Sequence, residues 1–451
     1  MMRRFILFFI FIVIASSGTL LAQGDAGAIF LLIAPGARAE AMGEAQVADA
    51  SDAYSSYWNP AGLAYMDKNE VGLMYVKWLP NLVDDMYYNF LTTGYRIPGF
   101  GTVGGHIIYL NLGEQQRRDE NNNDLGTFVS YMAAVTTSFG TKISENQAFG
   151  VNAKIVYQML SPYGTIQEKG KGSSTSFAFD FGYLYKGLLW NKIDFGMNLS
   201  NLGPKVAFID VAQADPMPTN MKLGINLKVL EKQHNKFSVV FDVNKLLVAS
   251  YQPMDRNGNL RIDKDTKEEA YADPWYKAIF TSWINDWKYE GDIDYSGDGI
   301  IGGYDAEGKP QGGYDENGNE MIGGNYDENG NLAVSYHPDT GEEMVGWGIY
   351  GGHPTNKVMN KVEVGSINDG SFQNEIDQMI FNVGAEYVYN DLIALRAGYI
   401  YDKAGKISNP TLGFGLMYHN LGFDFGYTAG AENHPLTNTM RISLRYRFGK
   451  D

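Results

Sequence analysis

Strict alternation of apolar with small or polar residues, sustained over strand-length runs, constrains this chain more than any other feature. In Met221-Lys222-Leu223-Gly224-Ile225-Asn226-Leu227-Lys228-Val229 every second residue is apolar. Leu412, Phe414, Leu416 and Tyr418 repeat the pattern, as do Leu421, Phe423, Phe425 and Tyr427, and then Ile442, Leu444, Tyr446 and Phe448. Side chains alternate faces along a strand, so each run has one greasy face and one small or polar face. A soluble sandwich would turn the greasy face into a core. A transmembrane barrel would turn it toward lipid. Runs of about 9–12 residues suit a tilted membrane crossing, and Tyr and Phe near their ends suit an interfacial girdle. The late aromatic Phe448 also resembles the terminal signal of outer-membrane barrels, although Gly449-Lys450-Asp451 follows it.

Fourteen strands are predicted, near 71–77, 87–96, 101–111, 127–139, 145–159, 175–186, 191–202, 220–230, 236–246, 377–389, 391–402, 409–418, 421–430 and 438–448. Connections after even-numbered strands are short, such as Ile97 to Phe100, Gly187 to Trp190, and His419-Asn420. Those after odd-numbered strands are mostly long and polar, such as Gly113 to Gly126 and Pro204 to Thr219. Short periplasmic turns and long outer loops produce this parity. The expected fold is all-β: a 14-stranded antiparallel transmembrane β-barrel with an N-terminal lumen plug and a large extracellular loop insertion. The expected divisions are 1–22 signal peptide, 23–70 plug, 71–246 strands one to nine, 247–376 acidic insertion and 377–451 strands ten to fourteen.

Arg3-Arg4, the apolar run Phe5 to Ile14 and the small residues up to Ala22 read as a secretory signal peptide. The run is shorter than the roughly 20 residues of a spanning helix. Cleavage after Ala22 or Gly18 fits. The expected location is the Gram-negative outer membrane, with the insertion facing the exterior. The net charge of −16 disfavours nucleic acid, and the absence of cysteine excludes disulfides and thiolate metal sites.

Much of the acidity lies in the insertion, where Gln252 to Val345 carries 21 Asp/Glu against 7 Lys/Arg, a net of −14. Asp294, Ser296, Asp298, the Ile300 carbonyl and Asp305 follow calcium-loop spacing, with oxygen ligands at alternate positions and a glycine at the sharp turn. A solvated acidic turn would show similar composition. Asp255, Asn257, Asn259, Arg261 and Asp263 form a weaker second loop, with Leu260 in place of the glycine and Thr266 in place of the last carboxylate. Tyr-Asp repeats at Tyr304, Tyr314 and Tyr326, two of them followed by Asn-Gly, read as serial turns. Asp273-Pro274 opens a short helix whose stripe of Trp275, Ile279, Trp283 and Trp287 needs cover from the barrel rim or from a partner protein.

Before the first strand, the period of two is absent. Pro35 to Ala64 is rich in Gly, Ala and Ser, as close packing inside a lumen requires, and Pro60 and Gly62 interrupt any continuing helix or strand. The segment Ala34-Pro35-Gly36-Ala37-Arg38-Ala39-Glu40-Ala41-Met42-Gly43, followed by Trp58-Asn59-Pro60-Ala61-Gly62, resembles the PorV/PorQ family, PorV more than PorQ because of the long insertion. Asn-Pro-Ala-Gly alone is shared with the wider superfamily of FadL-type transporters. The resemblance implies an outer-membrane component of type IX secretion. Such a barrel binds the C-terminal domain of secreted cargo at a SprA/Sov-type translocon barrel and shuttles it to an attachment machinery that includes a PorU-type protease. The other expectation is a FadL-like transporter of hydrophobic small molecules. Inward-facing Lys222, Asn226, Lys228, Arg396, Asp424, Arg441, Arg445 and Arg447 weigh against a greasy conduit. No enzyme is expected: His106 is the one histidine well inside a predicted strand, and no Gly-x-Ser-x-Gly elbow occurs. Apart from calcium, no cofactor is expected.

Overall fold

The computed structural model describes residues 26–80, 83–118, 122–163, 171–208, 214–256, 262–263, 266–288, 371–430 and 438–449, together with short paired segments of the insertion. The signal-peptide segment, the Asp294–Asp305 loop, and Asn257, Asn259 and Arg261 lie outside the described residues.

Fourteen strands close into one barrel. They are β1 (Asn69–Lys77), β2 (Tyr87–Ile97), β3 (Gly101–Arg118), β4 (Asp124–Lys142), β5 (Gln147–Ser161), β6 (Gly172–Gly187), β7 (Ile193–Leu202), β8 (Asn220–Lys232), β9 (Asn235–Leu246), β10 (Ile380–Tyr389), β11 (Ile393–Asp402), β12 (Ile407–Tyr418), β13 (Leu421–Thr428) and β14 (Thr439–Phe448). Every neighbour is antiparallel, and β1 closes on β14 from Asn69↔Phe448 to Val76↔Arg441. The insertion leaves the ladder intact, for β9 pairs directly with β10, as in Val243↔Phe381. Closure removes both sheet edges, so every strand finds a partner for its backbone within lipid.

The outward face is an apolar belt that includes Leu73, Leu91, Ile107, Val135, Phe179, Leu412 and Leu444. The inward face departs from the simple alternation expected. On β1 to β3 part of it is apolar as well: Met74, Val76, Tyr88, Phe90, Ile108 and Leu110 are buried against the N-terminal segment, beside the buried polar side chains Glu70, Thr92 and His106. A strand that has lipid on one face and a greasy plug on the other has no need of a polar face. On β7 to β14 the inward face is polar, with buried Asn198, Lys222, Asp242, Glu386, Arg396, Asp424 and Arg445.

β3 and β4 are longer than predicted. Their ladder passes a bulge between Asn111 and Glu114, taken up by Gly113 at φ +81°, and continues to Arg118↔Asp124. Most of the stretch expected to be the loop Gly113 to Gly126 is therefore a paired hairpin. Hydropathic alternation reports where lipid ends, and hydrogen-bonded pairing continues beyond it.

The plug precedes β1. It contains a 3-10 turn at Ile29–Leu32, α1 (Ala37–Ala41), α2 (Ser55–Trp58) and a second 3-10 turn at Pro60–Tyr65. The chain also divides into two compact units, one of residues 24–250, 272–287 and 371–451, the other of 1–23, 251–271 and 288–370. The second unit contains short two-stranded ladders, such as Val334–Tyr336 with Glu343–Val345.

Candidate functional site

Each element of the plug signature has a local physical role. Gly36, at φ +100°, leads into α1, and Gly43, at φ +64°, ends it. Asn59 is extended, and its side-chain oxygen accepts the Ala61 N–H at 3.1 Å, capping the turn that Pro60 opens. The Asn59 amide donates to the carbonyls of Val47 and Tyr183, both at 3.0 Å, tying plug to plug and plug to β6. The Trp58 indole donates to the Pro35 carbonyl at 3.0 Å, joining the two halves of the signature. A Cβ on Gly62 would lie 2.6 Å from the Ala50 carbonyl oxygen, so only glycine fits there.

The barrel wall is shaped to receive this backbone. A Cβ on Gly150 would lie 2.2 Å from the Pro60 carbonyl carbon, on Gly196 2.4 Å from the Val47 oxygen, on Gly384 2.3 Å from the Met42 oxygen and on Gly398 2.2 Å from the Gly43 nitrogen. Plug and wall meet main chain to side-chainless wall, without an intervening layer.

On the polar side a connected set of charges holds the plug. Arg38 makes a two-pronged contact with Glu386, at 3.1 and 2.9 Å, and also pairs with Asp49. Glu386 meets Arg396, which meets Asp424 at 2.8 Å. Asp424 meets Arg445, which reaches back to Asp52 of the plug at 3.2 Å. Arg447 pairs with Glu70 at 2.9 Å, and Glu70 accepts the Ala53 N–H at 3.2 Å. Burial disfavours the Arg38 cation, but Glu386 and Asp49 outweigh it and hold its pKa well above the ordinary value. Burial pushes the Glu44 carboxyl up to about 7, against the pull of Lys222. Backbone donors add to the set: Asp242 accepts the N–H groups of Gln46 at 2.7 Å and Val47 at 2.9 Å, and Thr411 accepts that of Gly43 at 2.9 Å. His106 Nδ1 lies 3.1 Å from the Ser56 hydroxyl, and both side chains are buried where plug meets wall.

The rim segments carry the aromatic stripe. Pro274 precedes α3 (Trp275–Thr281) rather than starting it, and a turn separates α3 from α4 (Asn285–Lys288). That break divides the stripe. Ile279 and Trp283 are half-buried, the Trp283 indole donates to the Ile279 carbonyl at 3.0 Å, and the Lys245 ammonium lies 5.7 Å from its ring. Trp275 and Trp287 are exposed, together with Tyr276, Phe280 and Phe372, which periodicity does not single out. Buried Lys245 at the end of β9 pairs with Glu375 of α5 (Phe372–Asp377) at 2.9 Å, and Glu375 accepts the Asp286 N–H at 3.0 Å.

In the second unit, Glu268 is buried and accepts the N–H groups of Arg256 at 3.2 Å and Asp263 at 3.0 Å. Thr266 donates to the Asp263 carbonyl at 2.5 Å, so it closes a turn at the position where a calcium loop places its last ligand. Among the described residues no cluster of His, Asp or Glu has metal-binding geometry.

The chain is similar to several solved proteins. The Ralstonia pickettii toluene transporter TbuX is 13% identical, with 93% of this chain and 100% of that chain covered, at a TM-score of 0.45. The Pseudomonas putida toluene transporter TodX is 11% identical over 92% and 99%, at 0.46. A Pseudomonas aeruginosa FadL homologue is 10% identical over 91% and 98%, at 0.37. Toluene transport is a property of the first two proteins and is not carried over. No curated protein matches the chain. A family profile, type IX secretion system protein PorV, matches residues 23–253, which include the plug and β1 to β9. That match spans just over half of the sequence, and the chain belongs to the PorV family, an outer-membrane β-barrel component of the type IX secretion system.

Proposed function

We propose that this barrel binds the C-terminal domain of secreted cargo at a SprA/Sov-type translocon barrel and passes it to an attachment machinery containing a PorU-type protease. It acts by binding, without catalysing a reaction. The observation that carries the reading is the seated plug: its backbone lies on wall glycines, and ion pairs join it to β10 and β14. A lumen filled in this way leaves the ends of the barrel as working surfaces. By loop parity the insertion belongs to the end that bears the longer connections, which we assign to the cell exterior. The exposed Trp275 and Trp287 are the partner-binding candidates there. Calcium at Asp294, Ser296, Asp298, Ile300 and Asp305 would order the acidic insertion through hard oxygen ligands.

Purification from the native outer membrane in gentle detergent, with and without chelator, followed by mass spectrometry, tests the reading. Co-purification of a giant translocon barrel, or of secreted proteins that share a C-terminal domain, is expected. A lone barrel with an apolar small molecule in its lumen would support the FadL-like transporter instead. Loss of partners on chelation would tie calcium to binding.

A further inference from the structure

One cavity at the loop end of the lumen is left unfilled by the plug. Its volume is about 320 Å³. Ile29, Ile33, Trp78, Ile380, Ile400 and Ile407 give it apolar walls. Three inward side chains on adjacent strands also line it: Asn409 of β12, Thr428 of β13 and Arg441 of β14. All three are more than nine-tenths buried. Yet Asn409 Nδ2, Thr428 Oγ1 and Arg441 Nε have no hydrogen-bond partner among the described residues. A buried donor left unpaired costs on the order of 1–3 kcal/mol, so three around one cavity mark a place for oxygen acceptors.

The charges narrow the choice of acceptor. Glu40, Glu44 and Asp402 line the cavity against the single cation Arg441, which already pairs with Glu40 and lies 3.5 Å from Glu44. A ligand carboxylate would meet a surplus of negative charge, whereas a neutral amide carbonyl would not. The plug forms one side of the cavity through Ile29, Leu32, Ile33, Ala34, Glu40 and Glu44. The cavity is thus a socket, small for a ligand site, with greasy walls and donors for uncharged oxygen.

We infer that this socket is a peptide pocket: it takes an apolar side chain from an extended segment of the cargo's C-terminal domain, whose backbone carbonyls accept from Asn409, Thr428 and Arg441. The inference rests on the cargo-binding reading above and specifies where the cargo is gripped.

The test places the photocrosslinking amino acid benzoylphenylalanine at Ile29 in one strain and at Ile407 in another. Cells are irradiated, and adducts of the full-length barrel are mapped by mass spectrometry. Heat-modifiable gel mobility checks that each barrel is folded. Peptide adducts within the C-terminal domain of a secreted protein are expected from at least one position. Combining Asn409→Leu with Thr428→Val, which removes two donors at nearly constant volume, should lower the adduct yield about tenfold. If cargo co-purifies but the adducts have lipid or small-molecule mass, or do not form, the pocket assignment falls while the cargo-binding reading stands. An undiminished yield in the double variant removes the donors' assigned role. If no cargo co-purifies at all, reading and pocket fall together.

Discussion

Gly150→Ala is the sharpest perturbation of the seated plug. The new methyl carbon would lie 2.2 Å from the Pro60 carbonyl carbon, 2.3 Å from the Ala61 nitrogen and 2.5 Å from the Pro60 oxygen. Carbon atoms pack at about 3.5–4.0 Å, so plug and wall must part by more than about 1 Å. Neither side yields easily. β5 is paired with β4 and β6. The Pro60 turn is pinned by Asn59, and the Asn152 amide of the same strand donates to the Ser56 carbonyl at 2.7 Å. Overpacking against side chains costs about 1–3 kcal/mol. Contact with main chain that cannot rotate away belongs at the upper end, about 3 kcal/mol, with loss of one or more pinning bonds. Two assays read this out: thermal loss of heat-modifiable mobility, and conductance of the purified barrel in planar bilayers. The variant should melt earlier and show current steps that the parent lacks. Gly422→Ala is the control, because its Cβ would meet only the Met417 methyl at 3.1 Å and the Arg445 side chain. A Gly150→Ala barrel as stable and as tight as Gly422→Ala would refute the reasoning that the wall glycines seat the plug.

Further expectations concern the charged side of the lumen and the insertion. Arg38→Ala strips Asp49 of its ion pair and leaves Glu386 with Arg396 alone. Breaking a buried pair from one side costs about 3–5 kcal/mol, and a midpoint in urea unchanged from the parent would contradict it. Glu44 contributes stability that is fully present below its unfolded pKa of about 4.5 and is lost as pH rises through about 7. Glu44→Gln should flatten the fall in stability between pH 5 and 7. It should also stabilise the barrel at pH 8 by about 1–2 kcal/mol, since the full shift represents roughly 3 kcal/mol and the side chain is 26% exposed. Phe280→Ser together with Trp287→Ser removes two exposed aromatics. It should leave the stability within about 0.5 kcal/mol of the parent while reducing the translocon or cargo recovered by co-purification. Calcium added to the purified protein should protect the insertion from limited proteolysis, and Asp298→Ala should abolish that protection; equal digestion in calcium and chelator would remove the metal from the account.

The barrel was legible because its signal is periodic and local. Lipid outside and polar side chains inside imprint a period of two on Met221 to Val229 and on Leu421 to Tyr427, and each of the fourteen predicted strands has its counterpart in the barrel. Alternation failed where the physics differs. β1 reads Leu73-Met74-Tyr75-Val76, apolar on both faces, because one face meets lipid and the other meets Phe90 and the plug aromatics. The far end of β3 was missed because pairing outlasts the lipid that imposes the pattern. The exposed rim aromatics are half legible: the stripe presumes one continuous helix, whereas the turn after Thr281 leaves Trp283 half-buried near Lys245, and Phe280 of α3, off the stripe, is exposed. Bonds such as Lys245–Glu375 and Arg38–Glu386 join residues far apart in the chain, and one sequence carries no trace of such pairings. The signature Pro35 to Gly62 was recognisable as small-residue packing, but the wall glycines that receive it looked like ordinary strand composition.

The two halves of the lumen hold the plug by different means. On β1 to β3, Tyr54, Tyr57 and Trp58 are buried with Phe90 and Met74 in one cluster, and Tyr54 stacks on Phe90 at 5.4 Å. Apolar contact of this kind is non-directional and tolerates small shifts. On β10 to β14 the Arg38–Glu386 and Arg445–Asp52 pairs hold the opposite side, and paired buried charges tolerate displacement poorly. The glycine seat sets the depth between them. A plug built to move aside for a solute would have to break the ion pairs and withdraw from the glycines together, leaving charges unpaired in the lumen. The geometry therefore favours a plug that stays in place while contacts are made and released at the loop end, where the cavity and the exposed aromatics lie.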